Sequence, residues 1–329
     1  MNIAILDDYQ SVARNYAEWS KLEAQHGITF FSDHISDHSQ LITRLQPFDI
    51  IMGMRERTPF PKAVLSKLPN LKLLITSGAR NASFDTQSAT ALGILICGTG
   101  GSGEGPTELT WGLIINLLRN IPREISDTKQ HKWGTTMGVG LKGKTIGLLG
   151  LGHIGSLVAR VAKAFDMNVI AWSQNMTESH ASEHSATLVS KEELFALSDI
   201  VSIHVRLSDR TRDLVTYKEL SLMKSTSYII NISRGPIINE NDLVQILRDK
   251  GIAGAGLDTF DVEPLPDNHP LLNLDNVIIT PHIGYVTQEA YSAYYSGALE
   301  DIEAFIEGTP INMINPEVYE TANFRGKIK

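Results

Sequence analysis

The chain has 329 residues, more than one ordinary core accommodates and enough for two domains. Its composition, 42% hydrophobic and 20% charged, is that of a soluble globular protein, and no apolar run is long enough to span a bilayer. A formal net charge of −8, with no basic stripe interleaved with aromatics, argues against nucleic acid as a partner.

The N-terminus enters strand-like Ile3–Leu6 with no signal-peptide pattern. Strands are predicted at Asn2–Leu6, Ile28–Phe31, Asp49–Met54, Leu71–Thr76 and Ile94–Cys97. Helical patterns lie between them, at Val12, Tyr16, Trp19 and Leu22 and over Lys62–Leu68. Such alternation implies βαβ units and a parallel sheet covered on both faces. Cys97 is the single cysteine, so an internal disulfide and a zinc–cysteine site are excluded; it reads as a small buried hydrophobe. These features predict a metal-free protein of the reducing cytoplasm with no membrane partner.

Glycine-rich Gly98 to Pro106 breaks the pattern and is predicted to be an interdomain hinge, followed by a helix from Glu108 to Leu118. A second αβ series runs from Lys144 to about Ile279, with strands at Asn168–Trp172, Ile200–Val205, Tyr228–Ile232, Ala255–Leu257 and Val277–Ile279. A last helix from about Gln288 to Ile306 is too short a tail for a domain and is expected to return to the first one. The predicted division is therefore residues 1–100 plus 286–329, and residues 101–285.

Thr145 to Gly155 reads Thr-Ile-Gly-Leu-Leu-Gly-Leu-Gly-His-Ile-Gly, an apolar strand running into Gly150-x-Gly152-x-x-Gly155. After a strand and before a helix, that spacing is a dinucleotide fingerprint. Gly150 permits the tight turn, Gly152 lets backbone approach a pyrophosphate, and Gly155 lets helix and strand pack closely. The following helix, with its apolar stripe of Leu157, Val158, Val161, Ala162 and Phe165, aims free N–H groups at the phosphates. Three titratable residues follow later strands: Arg234, Glu263 and His282. In open parallel sheets ligands bind beyond the carboxyl ends of strands, where all three are expected.

The chain resembles the D-isomer-specific 2-hydroxyacid dehydrogenase family over nearly all its length. The blocks that carry the resemblance are Thr76–Asn81, Gly150–Gly155, Ser198–His204, Met223-Lys224, Ile230–Gly235, Gly254–Asp258, Glu263-Pro264 and Thr280–His282. The resemblance implies two doubly wound α/β domains, a flavodoxin-like substrate domain and a Rossmann nucleotide domain, with a cleft between. It implies hydride transfer between NAD(P)(H) and a small D-2-hydroxy or 2-keto acid, catalysed by Arg234, Glu263 and His282. These roles are chemically consistent. Histidine exchanges the hydroxyl proton, a carboxylate fixes its tautomer, and arginine grips the substrate carboxylate through a bidentate fork.

By the same resemblance, the His153 and Ile154 backbone lies near the pyrophosphate, with Ile232, Ser233 and Asp258 near the nicotinamide. Arg55, Ser77 and Gly78 hold the substrate carboxylate, the last two through backbone N–H groups. A homodimer is implied as well, paired through the helix around Glu108–Asn120 and the loop carrying Trp133. His204, ending a strand, reads as a packed, hydrogen-bonded histidine.

Two positions depart from the family pattern. Where NAD-specific members place an acidic residue, this chain has Ser173-Gln174-Asn175, and Arg206 stands where proline is usual. Ser173 can still hydrogen-bond a ribose, and Arg206 either assists a 2′-phosphate or only covers the adenine, so NAD is expected with NADP left open. Oxidation of another small anion such as phosphite, or a non-enzymatic NAD(H)-sensing role, are the alternatives.

Overall fold

The computed structural model describes residues 1–101 and 104–326. Ser102 and Gly103 of the expected hinge, and the last three residues, lie outside the described residues. The chain forms two compact units, Met1–Ser102 with Thr287–Lys329, and Gly103–Val286.

The first unit holds five parallel strands, β1 (Asn2–Ile5), β2 (Gly27–Phe30), β3 (Ile50–Gly53), β4 (Leu73–Thr76) and β5 (Leu95–Gly98), in the order β2-β1-β3-β4-β5. Strands β3, β4 and β5 are buried at every position, as apolar runs are when helices cover both faces of a sheet. The helix Gln288–Ile306 buries Tyr291, Tyr294, Tyr295, Ile302 and Phe305. Beyond it Asn315 clamps the edge of the sheet, accepting from Ile96 N at 2.7 Å and donating to Ile94 O at 3.0 Å.

The second unit holds seven parallel strands: β6 (Thr145–Leu149), β7 (Asn168–Trp172), β8 (Thr187–Leu188), β9 (Ile200–Ile203), β10 (Tyr228–Asn231), β11 (Gly254–Leu257) and β12 (Val277–Ile279). Their order is β12-β11-β10-β9-β6-β7-β8, so the direction of winding reverses between β6 and β9. A crevice outside the carboxyl ends of these two strands is the expected ligand position of such a sheet. The helix Glu104–Leu118 buries Trp111, Leu113, Ile114, Leu117 and Leu118 against this unit's own core.

Three local expectations are corrected. The Val12–Leu22 pattern is not one helix but a 3₁₀ turn, Ala13–Asn15, and a short helix, Ser20–Glu23. The Asp8 carboxylate accepts from Val12 N and Ala13 N, and Trp19 Nε1 donates to Ala13 O, so side chains take over the backbone groups a continuous helix needs. The helix expected from Glu108 begins at Glu104. A further helix, Ile121–Lys129, and the two-residue strand β8 were not foreseen. That helix buries none of its residues, so it has no core face for periodicity to register.

Candidate active site in the nucleotide-binding unit

The turn after β6 has the geometry its three glycines predict. Gly150 has φ of 103°, and a Cβ there would lie 2.9 Å from the His204 backbone. A Cβ on Gly155 would collide with the carbonyl oxygen of Gly150. Gly152 differs: no described residue lies within 4 Å of where its Cβ would be. It caps the helix His153–Ala164, whose N-terminus no side chain covers. Open space above uncapped N–H groups fits a dinucleotide pyrophosphate. The His153 residue is exposed, and Ile154 is half-buried against the core beneath the turn. His204, on the neighbouring strand end, bonds Ser202 Oγ through Nε2 at 2.9 Å, and burial lowers its pKa to about 3, leaving it neutral.

The carboxyl ends of β10, β11 and β12 carry the titratable residues. After β10 the Asn231 side chain folds the loop, accepting from Ser233 N at 3.0 Å and donating to Arg234 O at 2.9 Å. Ser233 Oγ donates to Ile203 O at 2.8 Å, which ties this loop to β9, and Ile232 is buried. A Cβ on Gly235 would collide with the Phe260 backbone, so only glycine lets the Arg234 loop pack against the segment leading to Glu263. Glu263 Oε1 accepts from Phe260 N at 2.9 Å, and its Oε2 lies 2.6 Å from His282 Nδ1. Residues 19 positions apart thus form one bonded pair.

Asp258, fully buried, holds the His282 loop from below. Its Oδ1 accepts from Thr280 Oγ1 at 2.5 Å and Ile283 N at 2.8 Å, and its Oδ2 from Gly284 N at 2.9 Å. Burial pushes its carboxyl above the ordinary range, and these three bonds oppose that shift. His282 itself has φ of 53°, and the Tyr285 ring meets it edge-on at 5.6 Å. Sequence reasoning did not anticipate the bracing by Asn231, Gly235 and Asp258. An Asn two residues before Ser233 was the one available signal, since it favours a local side-chain turn.

The remaining cofactor candidates sit on their expected strand ends. Ser173 follows β7 and is half-buried, while Arg206 follows β9 and is exposed.

The Arg55 loop belongs to the first unit and follows β3. Arg55 N donates to Ser77 Oγ at 2.8 Å and its Nη1 to Ser77 O at 3.0 Å, with Glu56 Oε2 at 3.9 Å from its Nε. The expectation for Ser77 and Gly78 needs correction. Ser77 N donates to Gly53 O at 3.1 Å and Gly78 N to Thr99 Oγ1 at 2.8 Å, so neither N–H is available to a substrate. The next two amides, Ala79 and Arg80, donate to no other described residue.

A family model described as D-isomer specific 2-hydroxyacid dehydrogenase, NAD binding domain, matches residues 111–284. Glyoxylate reductase of Aeropyrum pernix is 38% identical over 266 residues, 78% of this chain and 79% of that protein. Among solved structures, phosphoglycerate oxidoreductase from Vibrio cholerae has a TM-score of 0.88 at 36% identity, covering 94% of this chain and 99% of that one. An acyclic imino acid reductase in complex with NADPH and D-Arg has a TM-score of 0.76 at 28% identity, covering 95% and 100%. With more than half of its residues inside the family match and the fold shared throughout, the chain belongs to the D-isomer specific 2-hydroxyacid dehydrogenases, NAD-dependent oxidoreductases of small hydroxy acids.

Proposed function

We propose that His282, Glu263 and Arg234 carry out the reduction of a small 2-keto acid and its reverse. The carrying observation is the 2.6 Å contact between Glu263 Oε2 and His282 Nδ1. An ionised carboxylate only accepts, so Nδ1 bears a proton and Nε2 is the nitrogen left to exchange one with substrate. In reduction, imidazolium gives that proton to the carbonyl oxygen; in oxidation, neutral Nε2 takes it from the hydroxyl. Glu263 stabilises the charged ring in both directions. Arg234 holds the substrate carboxylate and polarises the neighbouring carbonyl. A nicotinamide cofactor, when bound, would supply or accept the hydride. The turn Gly150, Gly152, His153, Ile154 and Gly155 would hold its pyrophosphate, with Ile232, Ser233 and Asp258 toward the nicotinamide end. In the first unit Arg55 is assigned to the substrate carboxylate. A single, buried cysteine, Cys97, is compatible with the reducing cytoplasm assigned by this reading.

The dinucleotide is NAD by this reading, with NADP accepted to a degree set by Ser173 and Arg206. Neither Ser173, Gln174 nor Asn175 carries a charge that repels a 2′-phosphate, and exposed Arg206 favours one. Absorbance at the nicotinamide band, with glyoxylate, hydroxypyruvate, pyruvate and phenylpyruvate against NADH and NADPH, tests both parts. Turnover of none of them would reject the substrate class. Ser173→Asp is expected to sharpen preference for NADH, and Arg206→Ala to weaken NADPH alone, more at low than at physiological salt. Equal losses for both cofactors in Arg206→Ala would show that the arginine covers the adenine and reads no phosphate.

A further inference from the structure

We propose that His180 is a positioning residue for the cofactor, holding the peptide between Leu151 and Gly152 so that the Gly152 N–H faces the pyrophosphate. The inference rests on the assignment of the Gly150–Gly155 turn to that group. His180 Nε2 lies 2.8 Å from the Leu151 carbonyl oxygen, 29 residues away and inside the turn itself. A carbonyl only accepts, so Nε2 carries the proton, in the neutral ring and in imidazolium alike. In a planar trans peptide the C=O and the following N–H point in opposite directions. Anchoring the Leu151 oxygen on one side therefore aims the Gly152 N–H to the other. That N–H donates to no other described residue, and none lies within 4 Å of the Gly152 Cβ position.

The ring is itself held in place. His180 lies on the helix Glu178–Glu183, capped by Thr177, whose Oγ1 accepts from His180 N at 3.2 Å. Its neighbour Ala181 is fully buried in the core beneath the turn, and His184 packs edge-on at 5.0 Å. The short helix after β7 thus braces the phosphate turn as well as following the strand that leads into Ser173.

The test is NADH affinity by fluorescence titration, alongside steady-state rates, for His180→Ala, His180→Phe and His180→Gln. Loss of one neutral hydrogen bond predicts an NADH Kd raised about 2–10-fold in the Ala and Phe variants, with kcat at saturating NADH and keto-acid KM unchanged. Gln, whose side-chain amide can donate to the same carbonyl, is expected to restore much of the affinity. A Phe variant that binds NADH like wild type would show that ring volume suffices and overturn the proposal. So would a Gln variant as weak as Phe. A wild-type protein that bound no NADH would instead overturn the assignment of the turn, and the proposal with it.

Discussion

Truncating His282 to Ala removes the group that exchanges the substrate proton but leaves the glycine turn untouched. Turnover at saturating substrate is expected to fall by about 10²–10⁴-fold while NADH binding holds, which rates and a binding titration read separately. A wild-type kcat would reject the assignment. Arg234→Ala is expected to raise keto-acid KM and lower kcat together, because the same charge binds the carboxylate and polarises the carbonyl. Arg234→Lys should recover part of the loss, an ammonium lacking the planar fork, and full recovery would mean that a point charge suffices. Arg234, Glu263 and His282 were legible as candidates because each follows an apolar run, and in a parallel sheet those runs deliver their ends to one edge. What joins them was less legible. Asp258 holds Ile283 and Gly284 through backbone N–H groups, which every residue but proline has and which leave no mark in a sequence. The same reason misled the reading of Ser77 and Gly78, whose N–H groups are engaged by Gly53 O and Thr99 Oγ1.

At the scale of elements, β3, β4, β5 and β9 were read closely because they are apolar at nearly every position and buried throughout. The helix Gln288–Ile306 was read to its ends, and it contains a residue whose surroundings only the structure reveals. Asp301 is fully buried; its Oδ1 accepts from Asn312 Nδ2 at 2.9 Å, and its Oδ2 has no hydrogen-bond partner among the described residues. Burial, aided by nearby Glu300 and opposed by the Asn312 bond, pushes its pKa up to about 7. The consequence for stability has a definite sign. Well below the ordinary carboxylate pKa of 3.8 the group is protonated folded or unfolded, and the fold bears no penalty. As pH rises toward 7 the unfolded chain ionises while the folded one keeps its proton, so stability falls, and above 7 the loss is complete. Asp301→Asn, a neutral isostere that still accepts from Asn312, is expected to stabilise the protein by roughly 1–4 kcal/mol at pH 8 and by much less at pH 4. Thermal melts at the two pH values measure the difference. A gain equal at both would show that ionisation of Asp301 is not its source.

Assembly of the whole molecule turns on where its apolar surface remains. Leu109, Trp111, Leu113, Ile114, Leu117 and Leu118 suggested a helix shared with a second copy, but Trp111, Leu113, Ile114, Leu117 and Leu118 are buried within one chain. The sequence pattern could not separate these outcomes, because a helix apolar on several faces reads alike whether its own core or a partner covers it. The loop that follows offers a different surface. Trp133 is 89% exposed and Met137 92% exposed. The loop is nevertheless held in shape: Thr136 N donates to Glu124 Oε1 at 2.6 Å, and Val139 N to Leu118 O at 2.8 Å. Large apolar side chains displayed on a locally bonded loop, with Ile125 exposed on the adjacent helix, are the surface that a second copy would cover. We therefore propose a homodimer whose contact includes Trp133 and Met137. Light scattering at micromolar concentration should give twice the 36.2 kDa chain mass for the wild type. Trp133→Glu with Met137→Glu should shift it toward a single chain, since neither side chain packs in its own core and two carboxylates resist burial. A monomeric wild type would remove the dimer altogether. A dimer unaffected by the double substitution would return the interface to another face of the molecule.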